Sequence, residues 1–247
     1  MHEIFFLPQQ RPQRLLKLAR GLTPIVGGLP HDLAAELRYA GGWIARGARE
    51  EVVADIERVC NDQGIGVASG TLSDDVLVHA VKRAVRGDEN CELHASHWSR
   101  TLSDDDIALA SLWVFGKVGP ADELRTEAPP KRRDSFQQHV EALPLPHAEL
   151  REGLEGVDLE APRLVLLLVQ QDPLEVFQLT AEETTFPDLG PLGFVDALLT
   201  DLPPHKLLAE TKAAREAKDF SGIVVHRSEE IARRASWLAA LVHHDRI

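Results

Sequence analysis

One tyrosine, one methionine and two cysteines are all that 247 residues contain of these types, and aromatic side chains make up only 5% of the chain. Each scarcity excludes something. Two cysteines, Cys60 and Cys91, cannot build a disulfide framework, and Cys60 falls on the apolar face of an expected helix, where a free thiol behaves as a small hydrophobe. Few aromatics leave little to stack on nucleobases. A formal charge of −12, from 27 Lys/Arg against 39 Asp/Glu, opposes a polyanion, so nucleic acid is not an expected partner. No apolar run approaches the ~18 residues that a membrane-spanning helix needs; Leu164–Val169 is far too short. The opening MHEIFFLPQQRPQR has no basic segment ahead of a long apolar core and does not read as a secretory signal. The expectation is a cytoplasmic protein with no membrane partner. The chain also lacks GxSxG, HExxH and paired CxxC, and its aspartate clusters at 74–75 and 104–106 lack the alternating ligands of a calcium loop.

What is present is alternation. His2–Leu7, Ile25–Gly28, Trp43–Arg46 and Ile65–Ser69 are short apolar runs of strand type. Between them lie helical patterns at Leu15–Ala19, at Leu33–Leu37 behind Pro30, and at Val52–Cys60 ahead of Gly64. This predicts a small N-terminal strand–helix layer over residues 1–70, either a parallel sheet or a split β-α-β arrangement. Residues 71–117 carry an echo, TLSDDVLVHAV and TLSDDDIALAS, in which Ser73 and Ser103 are expected to cap helices. Leu77, Ala80, Val81, Ala84 and Val85 keep helical spacing after the first; Ile107–Phe115 fits helix or strand. Residues 118–162 hold six prolines and many glutamates and read as a connector, with a short helix at 135–143. Residues 163–247 restart with RLVLLLVQ, the turn QQDP and LEVFQL, a predicted β-hairpin. Helices follow at 194–202 and 207–217, a strand at 223–225, and a last amphipathic helix behind Ser228. The fold class is therefore α/β or α+β, with a mixed C-terminal part.

The most chemical stretch is CELHASHW. Cys91, His94 and His97 are zinc-type ligands at three-residue spacing, but a structural zinc site needs a fourth. As a helix the three share an arc of roughly 120°; as a strand His94 points away from the other two. The turn signal Gly87–Asn90 ahead of it favours an extended segment and no metal. His243-His244-Asp245 resembles the His-Asp pair of a phosphohydrolase but lacks a later aspartate, and imidazoles there suit the negative pole of a helix. Gly64–Gly70 misses the third glycine of a dinucleotide loop at Ser69. Gly27-Gly28 reads as a tight turn, with phosphate binding as the alternative. Residues 1–49 carry seven Lys/Arg against three acids, a basic face that either is simply solvated or meets phosphate or an acidic partner.

No catalytic constellation is coherent, so the expectation is a non-catalytic regulatory, scaffold or interaction subunit with a protein partner; the amphipathic last helix is expected to pack on its own core, with docking of that partner as the alternative. Two alternatives stand beside it. One is a metal-dependent hydrolase using Cys91, His94 and His97, with zinc as its cofactor. The other is a small-molecule or phosphate-binding module in the N-terminal part, with Gly28 and Arg46 near the site.

Overall fold

The computed structural model describes residues 2–8, 14–71, 76–117, 160–181, 183–217, 220, 223–225 and 228–246. Among them are six α-helices and eleven strands in three sheets, an α+β protein. The chain divides into two compact units: Met1–Val76 with Glu229–Ile247, and Leu77–Ser228. The first boundary falls six residues beyond the expected one at 70. The last helix, read from the sequence as part of the C-terminal block, belongs to the first unit. Most of the expected connector, with its helix at 135–143, lies outside the described residues.

In the first unit the order is β1 (His2–Phe6), α1 (Leu15–Val26), α2 (Pro30–Tyr39), β2 (Trp43–Ala48), α3 (Glu50–Asp62) and β3 (Val67–Gly70). Strand β1 is central and antiparallel to both neighbours, in the order β2-β1-β3. Side chains alternate across a strand, so Ile4 and Phe6 face one way and Phe5 the other. Ile4 and Phe6 join Leu18 and Leu22 of α1, Leu37 of α2, and Val53, Ile56 and Cys60 of α3 in one core. Phe5 lies edge-on to Trp43, with ring centroids 5.6 Å apart, and stacks on His244 at 5.8 Å. That second face is covered by the last helix, α6 (Ser228–His243). The Trp237 indole N–H donates to the Phe6 carbonyl at 2.9 Å. Its ring lies so close to Gly42 that a Cβ there would come within 2.5 Å. A strand buried on both faces explains why the IFF run is continuously apolar rather than alternating.

The expected strand Ile25–Gly28 is not one. Ile25 and Val26 are the last turn of α1, because Leu15, Leu18, Leu22 and Ile25 continue one apolar stripe past Pro24. Gly27 and Gly28 both have φ of 83°, in the left-handed region that suits glycine, and a Cβ on either would meet nothing within 4 Å. Backbone conformation, not space, sets these two residues in the turn from α1 to α2.

The second unit holds a five-stranded sheet, β11-β8-β9-β10-β4, and a three-stranded meander, β5-β6-β7. The strands are β4 (Leu77–Ala80), β5 (Arg83–Arg86), β6 (Asn90–His94), β7 (Ser99–Ser103), β8 (Ile107–Lys117), β9 (Glu160–Gln170), β10 (Glu175–Thr180) and β11 (Val224–Val225). The helices are α4 (Gly190–Asp201) and α5 (Ala209–Ala217). The predicted hairpin is present as β9 and β10. Strand β11 covers only two residues of β8. Further along that edge, Ala110 accepts from the Leu208 N–H at 2.9 Å and the Leu112 N–H donates to Thr211 Oγ1 at 3.0 Å, so buried backbone groups stay paired.

Two helix expectations fail here. Residues 77–80 and 83–86 form β4 and β5 instead, since β4 finds a parallel partner in β10. Ser103 caps no helix: it closes the turn between β7 and β8, where its N–H and hydroxyl both donate to the Asp106 carboxylate at 3.0 and 2.7 Å. Of the first echo, residues 72–75 lie outside the described residues.

Candidate functional site

Residues 90–94 are extended, as the turn signal ahead of them implies, and residues 95–98 form a turn. Cys91 faces the interior and is fully buried, while His94 faces out toward Glu92, 3.9 Å away. His97 is exposed on the turn. The strand therefore separates Cys91 from His94, and among the described residues no three His, Cys, Asp or Glu side chains gather as metal ligands. Burial pushes the Cys91 thiol up to about 11, against the pull of the adjacent Arg86 guanidinium. Cys60 is likewise pushed to about 11 by burial and by Glu57. Neither is a nucleophile near neutral pH.

What Cys91 does touch is a buried ion cluster. Arg86, with a side chain 3% exposed, forms a two-pronged pair with Asp104 at 2.6 and 2.7 Å and reaches Asp201 of α4 at 2.9 Å. It also donates to the Asn90 carbonyl and lies 3.5 Å from Cys91 Sγ. Hydrogen bonding to Asp104 strengthens its hold on its proton. A second cluster joins β4, β7 and β10. Arg100 Nη1 pairs with Glu175, and His79 Nε2 lies 3.7 Å from the same carboxylate. The His79 ring stacks on Phe177 and meets Trp98 edge-on. Both clusters tie strands together through satisfied or nearly satisfied charges, and sequence gives no local sign of either: Arg86 lies 18 and 115 residues from its partners.

The first unit has a different feature. Antiparallel packing of α1 and α2 leaves a groove of about 840 Å³ between their outer faces. Arg14, just ahead of α1, and Lys17 and Arg20 of α1 line it on one side, and His31 and Arg38 of α2 on the other. A three-residue step keeps Lys17 and Arg20 within an arc of roughly 60° on α1, and His31, Ala34, Ala35 and Arg38 follow the i, i+3, i+4, i+7 stripe of one helix face. Alanine at 34 and 35 keeps the floor low. Asp32 and Glu36, the acids of α2, do not line the groove. None of its five basic side chains has a hydrogen-bond or ion-pair partner among the described residues. The basic N-terminal face was legible as composition; its gathering into one groove required the hairpin.

The other predicted positions fall elsewhere. Arg46 pairs with Glu3 at 3.1 Å and lies over the Trp43 ring at 5.0 Å. Neither it nor Gly28 lines the groove. His244 follows the end of α6 against Phe5 and Gly70, and burial with the neighbouring His243 and Arg246 lowers its pKa. Fold and groove together define the class: an α+β protein of two units whose first unit carries a cationic groove. Comparisons with family models, with curated proteins and with solved structures find no match. No helix among the described residues is long and apolar enough to cross a membrane.

Proposed function

We propose that the protein is a non-catalytic binding subunit whose first unit takes a phosphate-bearing ligand in the α1–α2 groove. The observation that carries this reading is the groove itself: four guanidinium or ammonium groups and an imidazole on its two walls, with no carboxylate among the described residues that line it. Like charges held together repel each other, and a bound anion relieves that repulsion. Guanidinium groups are also the side chains best shaped to grip phosphate in two-pronged fashion. The sequence offers the last helix as the docking element for a protein partner. Its apolar residues Ile231, Ala235, Leu238, Leu241 and Val242 are buried, so that surface is not on offer, and the binding role moves to the groove. A cytoplasmic location, where phosphorylated metabolites are abundant, belongs to the same reading.

Calorimetric titration with pyrophosphate in about 50 mM salt tests it. Binding is expected in the unaltered protein, weakening steeply as salt rises, and lost in the double variant Arg20→Gln/Arg38→Gln. Heat of binding that survives both substitutions places the site elsewhere and contradicts the reading.

A further inference from the structure

The groove's cations are strung along a line rather than gathered around a point. Arg14, Lys17 and Arg20 follow one another at three-residue steps from the N-cap of α1 into the helix, so at about 1.5 Å of rise per residue their attachment points span roughly 9 Å. On the opposite wall His31 and Arg38 are seven residues apart, a span of roughly 10 Å by the same rise. One tetrahedral anion engages only one stretch of such a row. It leaves the remaining cations unneutralised and most of the groove's volume of about 840 Å³ unused. A chain of phosphoryl groups, with charge at each link, meets both walls along their length.

Accepting the anion-binding reading on which this rests, we propose that the groove takes a small molecule carrying two or three phosphoryl groups in a row. A nucleic-acid backbone presents phosphates in series too. A long polyanion, however, must approach a chain of net charge −12, whereas a short one needs only the groove. The structure therefore favours the compact di- or triphosphate.

The experiment compares four probes on the full chain at one low salt concentration: orthophosphate, pyrophosphate, tripolyphosphate and a 12-nucleotide single-stranded oligonucleotide. Affinity is expected to rise about tenfold or more from orthophosphate to the best of the two chain phosphates, since each added charge-assisted contact strengthens binding. The salt dependence should steepen along the same series. Arg14→Gln and Arg38→Gln, on the two walls at the end of the groove far from the Gly27–Gly28 turn, should each weaken tripolyphosphate several-fold while circular dichroism stays unchanged. Equal affinities for all three inorganic probes would overturn the chain-phosphate inference and leave the anion site standing. Oligonucleotide binding as tight as tripolyphosphate would overturn the small-molecule part. Absence of binding by every probe would overturn the site itself.

Discussion

In the first unit Arg14, Lys17, Arg20 and Arg38 stand along a groove with no carboxylate among the described residues that line it. In the second unit Arg86, Arg100, Arg215 and Lys206 all end on carboxylates, carbonyls or a hydroxyl of the same unit. The contrast does not follow from overall charge. The first unit has 11 Lys/Arg and 13 Asp/Glu, a net −2, and the second has 16 and 26, a net −10. Acids are thus available in the first unit, and elsewhere in it they do pair: Glu3 with Arg46, Asp55 with Arg58, Glu230 with Arg234. None is among the described residues that line the groove. The same residue type serves architecture where its charge is answered inside the fold, and binding where it is left for something outside.

Substitution of a cation in each unit separates the two uses. Arg86→Met should produce the largest effect. It leaves Asp104 partly buried without its partner, and breaking a buried pair costs about 3–5 kcal/mol. Asp201, whose side chain is 46% exposed, regains water and adds little. Urea denaturation followed by circular dichroism should show a midpoint lowered to match; an unchanged midpoint would mean the cluster is not structural.

Next in size is an alkaline effect that treats the two units alike, since each holds one buried thiol. In the native state Cys60 and Cys91 keep their protons up to about 11, whereas a thiol ordinarily releases its proton near 9. The unfolded chain thus binds fewer protons between these values. The stability from burying each neutral thiol is complete below pH 9 and is lost as pH climbs to 11, by about 2–3 kcal/mol per thiol. Cys60→Ala and Cys91→Ala should each flatten the measured decline of unfolding free energy across that window by about half, whatever they do to stability at pH 7. A decline untouched by either substitution would assign it to other groups.

The smallest effect on stability is expected where the functional effect is largest. Arg20→Gln/Arg38→Gln removes two exposed charges that have no partner among the described residues, and surface changes of this kind stay within about 0.5 kcal/mol. Thermal melting without ligand should be unchanged or slightly raised as repulsion falls. A loss comparable to that of Arg86→Met would show these cations to be structural after all and erase the contrast between the units.

Much of the fold was legible in the sequence where the deciding interactions were local. Helix α3 was marked by Val52, Val53, Ile56, Val59 and Cys60 on one face, and the β9–β10 hairpin by two apolar runs around a turn signal. The reading failed where a distant partner decided. Leu77, Ala80, Val81, Ala84 and Val85 satisfy helical spacing, yet β4 pairs with β10 almost a hundred residues later. Ser103 looked like a helix cap because serine followed by aspartates suits both a cap and a hairpin turn. The last helix was recognised as amphipathic, but not that its apolar face closes the first unit's sheet. The groove sat between these cases. The sequence shows its basic residues but points to Arg46 and Gly28 for the site, because only the turn at Gly27 and Gly28 folds α2 back along α1.

Site-resolved chemical-shift mapping tests the central contrast most directly. With pyrophosphate added to isotopically labelled protein, the account predicts amide and arginine side-chain shifts concentrated in residues 14–39, with the resonances of Arg86, Arg100 and Arg215 unmoved. Shifts centred on those three arginines, or none anywhere at millimolar pyrophosphate, would contradict it.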